Sequence, residues 1–189
     1  MSPWLVDVLI VGGVALFWLF LIWLGLRGWR KRGRAQADQL GELPVVPDEL
    51  GEVLDGPDTG LYVGSTLAPT WATRVAVKDF GDRALVHYSR YAEGILLDRT
   101  GASPIWIPTE AITAVRTESG LAGKVMSRDG LLAIRWRLPS GVEVDSGIRG
   151  DDKSVYPAWT TAYADITERT RTELDAADAV GTETKRKKA

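Results

Sequence analysis

The chain has 189 residues, with 23 Lys and Arg against 25 Asp and Glu, one histidine and no cysteine. A net charge of −2 leaves no basic excess for a nucleic-acid partner. Without cysteine disulfides are excluded, and with one histidine a structural zinc site is strongly disfavoured.

The first element is apolar. Val8 to Leu26 is uncharged, and the run extends back to Trp4 with Asp7 as its one charge. Residues 4–26 therefore predict a transmembrane helix of roughly 35 Å, against a hydrocarbon core of about 30 Å. Arg27, Arg30, Lys31, Arg32 and Arg34 follow at once. This basic juxtamembrane segment, 27–34, predicts a cytoplasmic C-terminal side, with residues 1–3 outside. A cleaved signal peptide is the weaker reading, because its positive charge precedes the apolar stretch. The expected location is the plasma membrane, single-pass, with the bilayer as partner through residues 4–26.

Residues 35–59 hold Asp38, Glu42, Asp48, Glu49, Glu52, Asp55 and Asp58 without a Lys or Arg, punctuated by Pro44, Pro47, Gly51, Gly56 and Pro57. This reads as an acidic, solvated linker. Residues 60–178 form the expected globular domain, and 179–189 a basic disordered tail ending in Lys185-Arg186-Lys187-Lys188.

Alternating short runs separated by turns predict antiparallel β structure in the domain. Trp71, Thr73, Val75 and Val77 alternate with Arg74 and Lys78. Ala84–Tyr91, Ile95–Leu97, Ile105–Ile107 and Ile112–Val115 follow as strands; Leu61–Leu67 is an extra strand or part of the approach. In the clearest hairpin, Leu132, Ile134, Trp136 and Leu138 point inward and Ala133, Arg135 and Arg137 outward. Pro139-Ser140-Gly141 turns the chain into Val142 and Val144, with Glu143 and Asp145 outward. A helix then starts with Asp151, Asp152 or Ser154 as cap and Pro157 in its first turn. Val155, Trp159, Ala162, Tyr163 and Ile166 form its apolar stripe, and it runs to about Ala179 with Gly181 as its stop.

Six to eight strands followed by one amphipathic helix predict a small barrel or sandwich plugged at one end. Gly94-Ile95-Leu96-Leu97, Ile105-Trp106-Ile107-Pro108, Ile112 and Val115 resemble the bacterial pleckstrin-homology-like domain. Tyr62–Thr66, Gly120–Val125, Leu131–Leu138 and Asp145–Arg149 resemble actinobacterial single-pass membrane proteins carrying that domain. Members are often encoded beside pyrimidine-biosynthesis genes and sometimes labelled transporters. The resemblance implies two packed antiparallel sheets with a C-terminal capping α-helix, behind one transmembrane helix. It carries over no catalytic residue.

Catalytic chemistry is not legible. Gly123-Lys124 invites a phosphate-loop reading, but Glu118 stands at the first glycine position and Val125 where Ser or Thr would hold magnesium. His87 has no accompanying nucleophile elbow. Arg74, Lys78 and Arg83 are interrupted by Asp79 and Asp82, so no phosphoinositide cluster forms. The expectation is a non-enzymatic, membrane-tethered binding or scaffold module with no catalytic, cofactor-binding or metal residues, no cofactor and an unidentified protein partner. Gly120, Gly123, Lys124 and Arg128 mark a candidate partner-binding loop. Alternatives are an anionic-lipid sensor or an accessory subunit of a transporter.

Overall fold

The computed structural model describes residues 3–70, 73–75, 77–125 and 129–186 of the chain. Helix α1 (Pro3–Leu40) leads into nine strands: β1 (Asp55–Leu67), β2 (Ala84–Arg90), β3 (Gly94–Arg99), β4 (Ile105–Pro108), β5 (Ile112–Glu118), β6 (Gly120–Leu121), β7 (Lys124–Val125), β8 (Leu131–Arg137) and β9 (Glu143–Gly150). Helices α2 (Tyr156–Ala162) and α3 (Ala164–Arg186) complete it.

Seven strands form one antiparallel sheet in the order β4-β3-β2-β1-β9-β8-β5, while β6 and β7 pair with each other. The expected two sheets are thus one continuous ladder, joined through β1. The first half of β1 pairs with β2, from Asp55 opposite Arg90 to Tyr62 opposite Ala84. Its second half pairs with β9, from Gly60 opposite Gly150 to Leu67 opposite Val144. The register slips between Tyr62 and Gly64, a bulge that bends the strand from one set of neighbours to the other. At that handover β1 and β9 pass closely, since a Cβ on Gly60 would stand 2.5 Å from the Arg149 carbonyl oxygen. Of the strand expected from Trp71 to Val77, positions 71, 72 and 76 lie outside the described residues, and among the rest Arg74 makes an isolated bridge with Thr66.

The inner face collects Tyr62, Val86, Tyr88, Ile95, Leu97, Ile107, Leu132, Ile134, Trp136, Val144 and Ile148 in one core. The predicted hairpin and its inward and outward faces hold, and the register sets Arg137 opposite Glu143 and Trp136 opposite Val144. A polar thread runs through this core. Tyr62 donates its hydroxyl hydrogen to the Phe80 carbonyl at 2.8 Å, and its oxygen lies 2.7 Å from Ser65 Oγ. Ser65 Oγ is 2.7 Å from Ser146 Oγ, which accepts from Trp136 Nε1 at 3.0 Å. Burial pushes the Tyr62 hydroxyl up to about 12, so it stays a donor.

The helical cap follows the prediction with one break. Asp152 accepts from the Ser154 backbone N–H, and a short 3-10 turn, Lys153–Val155, precedes α2. Tyr163, at φ −120°, separates α2 from α3. Tyr156, Trp159 and Tyr163 are buried, while Ala162 of the expected stripe is exposed. Trp159 stacks obliquely on Tyr88 at 5.1 Å and donates Nε1–H to Asp58 at 2.9 Å. Strand β5 is an edge of the sheet, and its Val115 N–H is taken up by Thr167 Oγ1 of α3. Helix α3 continues through Arg186, beyond the expected stop at Gly181.

Two segments differ from the linker reading of 35–59. Helix α1 does not end with the apolar run; it passes the basic segment and reaches Leu40. Leu40 is only 1% exposed, inside the main core, with Leu43 packed beside it. Gly41 then ends the helix in the left-handed region at φ +68°, its N–H donating to Ala37. At the other end Asp55–Thr59 belongs to β1, where Asp55 pairs with Arg90. Among the described residues no helix is long and apolar enough to cross a membrane. Of the expected span over 4–26, the side chains at 5–11 and 26 lie outside those described; those at 12–25 are exposed.

Candidate binding cleft

The outer face of the β5-β8-β9 half-sheet is built in two parts. At one end Val63, Leu121 and Leu131 make a small second core, with Leu61 against it. The β6–β7 hairpin supplies Leu121 and turns through Ala122 and Gly123, at φ +51° and +72°. Both central residues in that region suit a tight two-residue hairpin. Gly147 makes room for this roof, because a Cβ there would meet Leu121 Cδ2 at 2.4 Å.

At the other end of the same face lies an ion cluster. Arg135 stands opposite Asp145 in the ladder and grips it with two bonds, Nε to Oδ1 at 3.0 Å and Nη2 to Oδ2 at 2.8 Å. Arg116 Nη1 donates to Asp145 Oδ1 at 3.1 Å, and its Nε donates to Glu118 Oε1 at 2.7 Å. The Asp145 side chain is 2% exposed, those of Arg135 and Arg116 19% and 28%, and that of Glu118 37%. Burial alone would raise the Asp145 carboxyl, but the hydrogen bonds from Arg135 and Arg116 outweigh it and hold the group below the usual carboxylate range. Burial likewise opposes charge on Arg116, and Asp145 and Glu118 reverse that, raising it.

These four side chains form one wall of a cleft of about 470 Å³, with Pro69 and Leu121 as apolar flanks. Thr66 lies directly across the ladder from Asp145. Its hydroxyl is buried with no hydrogen-bond partner among the described residues.

Of the residues marked in the sequence, Gly120 borders this cleft and Gly123 sits at the hairpin tip with open space around it. Lys124 is in β7, its side chain outside those described, and Arg128 lies outside the described residues. Gly120–Val125 of the candidate partner-binding loop form a hairpin with a two-residue turn. Arg27 is exposed, its guanidinium 5.4 Å from the Trp23 ring centre. Arg30, Lys31, Arg32 and Arg34 lie on the α1 backbone, their side chains outside those described. Arg74 is partly buried and donates to the Val63 carbonyl, a structural role, while Lys78 and Arg83 are exposed. His87 is exposed on β2.

Sequence reading missed Arg116, Glu118, Arg135 and Asp145. A signal existed. Counting outward from Pro139-Ser140-Gly141 pairs Arg137 with Glu143 and Arg135 with Asp145, two complementary charge pairs across one hairpin.

No curated protein matches this sequence. The family model described as Bacterial PH domain-like matches residues 40–164. The matched segment starts at the helical leucine sunk in the core and ends just after Tyr163, the last fully buried ring of the cap. It contains the bent sheet, its polar thread and the plugging helix, and so the chain belongs to the bacterial PH domain-like family.

Proposed function

We propose that the protein is a non-enzymatic, membrane-tethered binding or scaffold module, with the PH-like domain on the cytoplasmic side of the plasma membrane. The observation that carries this reading is the row of large apolar side chains on α1. Val14, Leu16, Phe17, Trp18, Leu19, Phe20, Leu21, Ile22, Trp23 and Leu24 are all between 40% and 68% exposed. Apolar surface of that extent needs lipid or protein around it. The uncharged run from Val8 to Leu26, closed by five cations, favours lipid and an inward-facing C-terminus.

Helix α1 supports a stand-off role. Positions 26 to 40 are 14 residues apart, or roughly 21 Å of continuous helix between the end of the apolar run and the domain core. A partner then meets the domain away from the headgroups, beyond a screening length of about 8 Å. Lipid sensing by the domain surface is the weaker reading on that ground. Alkaline carbonate washing of membranes from cells expressing the full chain tests the tether. Retention in the pellet is expected, and full release into the supernatant would refute it.

A further inference from the structure

We propose that the cleft beside β5 and β9 receives a carboxylate side chain presented by a partner protein, and that Glu118 is its displaceable resident ligand. This deepens the reading of the domain as a binding module and rests on it. The two guanidiniums are fixed from below by one buried acid. Asp145 is paired by three hydrogen bonds and is almost wholly out of solvent, so it orients Arg135 and Arg116 and does not itself leave. Each guanidinium has five N–H groups and commits two of them to Asp145 or Glu118. Among the described residues the other three on each meet no acceptor, and both side chains keep partial access to solvent.

Glu118 differs from Asp145 in each respect that matters. Among the described residues it makes one ion pair, and it is 37% exposed. An exposed single pair of this kind is weak. With Glu118 in place the four charges cancel, and with Glu118 swung out the wall carries a net +1 aimed into a cavity with apolar flanks at Pro69 and Leu121. A planar fork held rigid at its base matches a carboxylate. Behind the cleft lining, the buried Thr66 hydroxyl across the ladder from Asp145 has no hydrogen-bond partner among the described residues.

The test is nuclear magnetic resonance of the arginine Nε–Hε signals in the full chain, held in an uncharged detergent. The probe is a capped hexaglutamate peptide, with capped hexaglutamine and free glutarate as comparisons. The proposal expects the Arg116 and Arg135 signals to shift with hexaglutamate and stay put with hexaglutamine. Glu118→Gln, at a half-exposed site, keeps the fold and should tighten hexaglutamate binding about two- to fivefold by removing the competitor. Arg116→Lys keeps the charge but not the fork, and should lose most of the binding. Absence of arginine shifts, or equal affinity in the Glu118→Gln protein, would overturn the proposal. Glutarate binding as tightly as the peptide would overturn the assignment to a partner protein. All three failures are independent of the carbonate test, which reads α1 alone.

Discussion

Leu40→Ala tests whether α1 and the domain are one body. Leu40 is the last residue of α1, is 1% exposed and belongs to the main core. Removing a buried leucine side chain to the β-carbon costs about 2–5 kcal/mol, the spread depending on how far the site collapses. Here the chain continues into Gly41–Leu54, which has no regular structure and can settle into part of the gap. The lower half of the range, about 2–3 kcal/mol, is therefore expected. For a domain of this size that lowers the midpoint of thermal unfolding by roughly 5–15 °C. The assay is near-ultraviolet circular dichroism of the full chain in uncharged detergent, which follows the packed tryptophans. Leu24→Ala is the internal control, since Leu24 is on the same helix but 43% exposed, and its domain transition should not move. A Leu40→Ala midpoint within about 1 °C of the parent would refute the docking of α1 and the fixed stand-off built on it.

Ser146→Ala takes the acceptor from Trp136 Nε1 and a neighbour from Ser65, and should cost about 1–3 kcal/mol by chemical denaturation. Gly60→Ala drives a Cβ to 2.5 Å from the Arg149 carbonyl, which only a backbone shift relieves; a loss of about 2 kcal/mol or more is expected in the same assay. The Asp145 carboxyl titrates lower in the folded state than in the unfolded chain, so its contribution is present above about pH 4 and is lost as pH falls through the folded value. Asp145→Asn should therefore be less stable at neutral pH and show a shallower loss in acid, with Asp79, also held low, supplying part of the remaining slope. An unchanged acid limb in the Asp145→Asn protein would contradict that sign.

The parts of the fold carried by local pattern were readable. Pro139-Ser140-Gly141 set the β8–β9 register, and Pro157 and Asp152 marked the start of the helical cap. What escaped depends on partners far away in the chain. Asp55 and Asp58 read as linker acids, yet Arg90 and Trp159 Nε1 donate hydrogen bonds to them from 35 and 101 residues away. Gly56-Pro57 reads as a turn, but it falls in the irregular step of β1 between Asp55 and Asp58, where a residue without an N–H is tolerated. The candidate cleft was hidden for the same reason. Alternation puts Asp145 on the outer face, as observed, but not in water, because the Arg135 and Arg116 guanidiniums close on its carboxylate. Ala122-Gly123 lacks the Asn-Gly signature that would have announced the hairpin.

The absence of native cysteine permits the most direct test of the tethered arrangement. Single cysteines at Ser2 and at exposed Asp98 of β3 would be treated with a membrane-impermeant maleimide on intact cells, then again after lysis. The account predicts labelling of Ser2→Cys before lysis and of Asp98→Cys only after it. Labelling of Asp98→Cys on intact cells would contradict it.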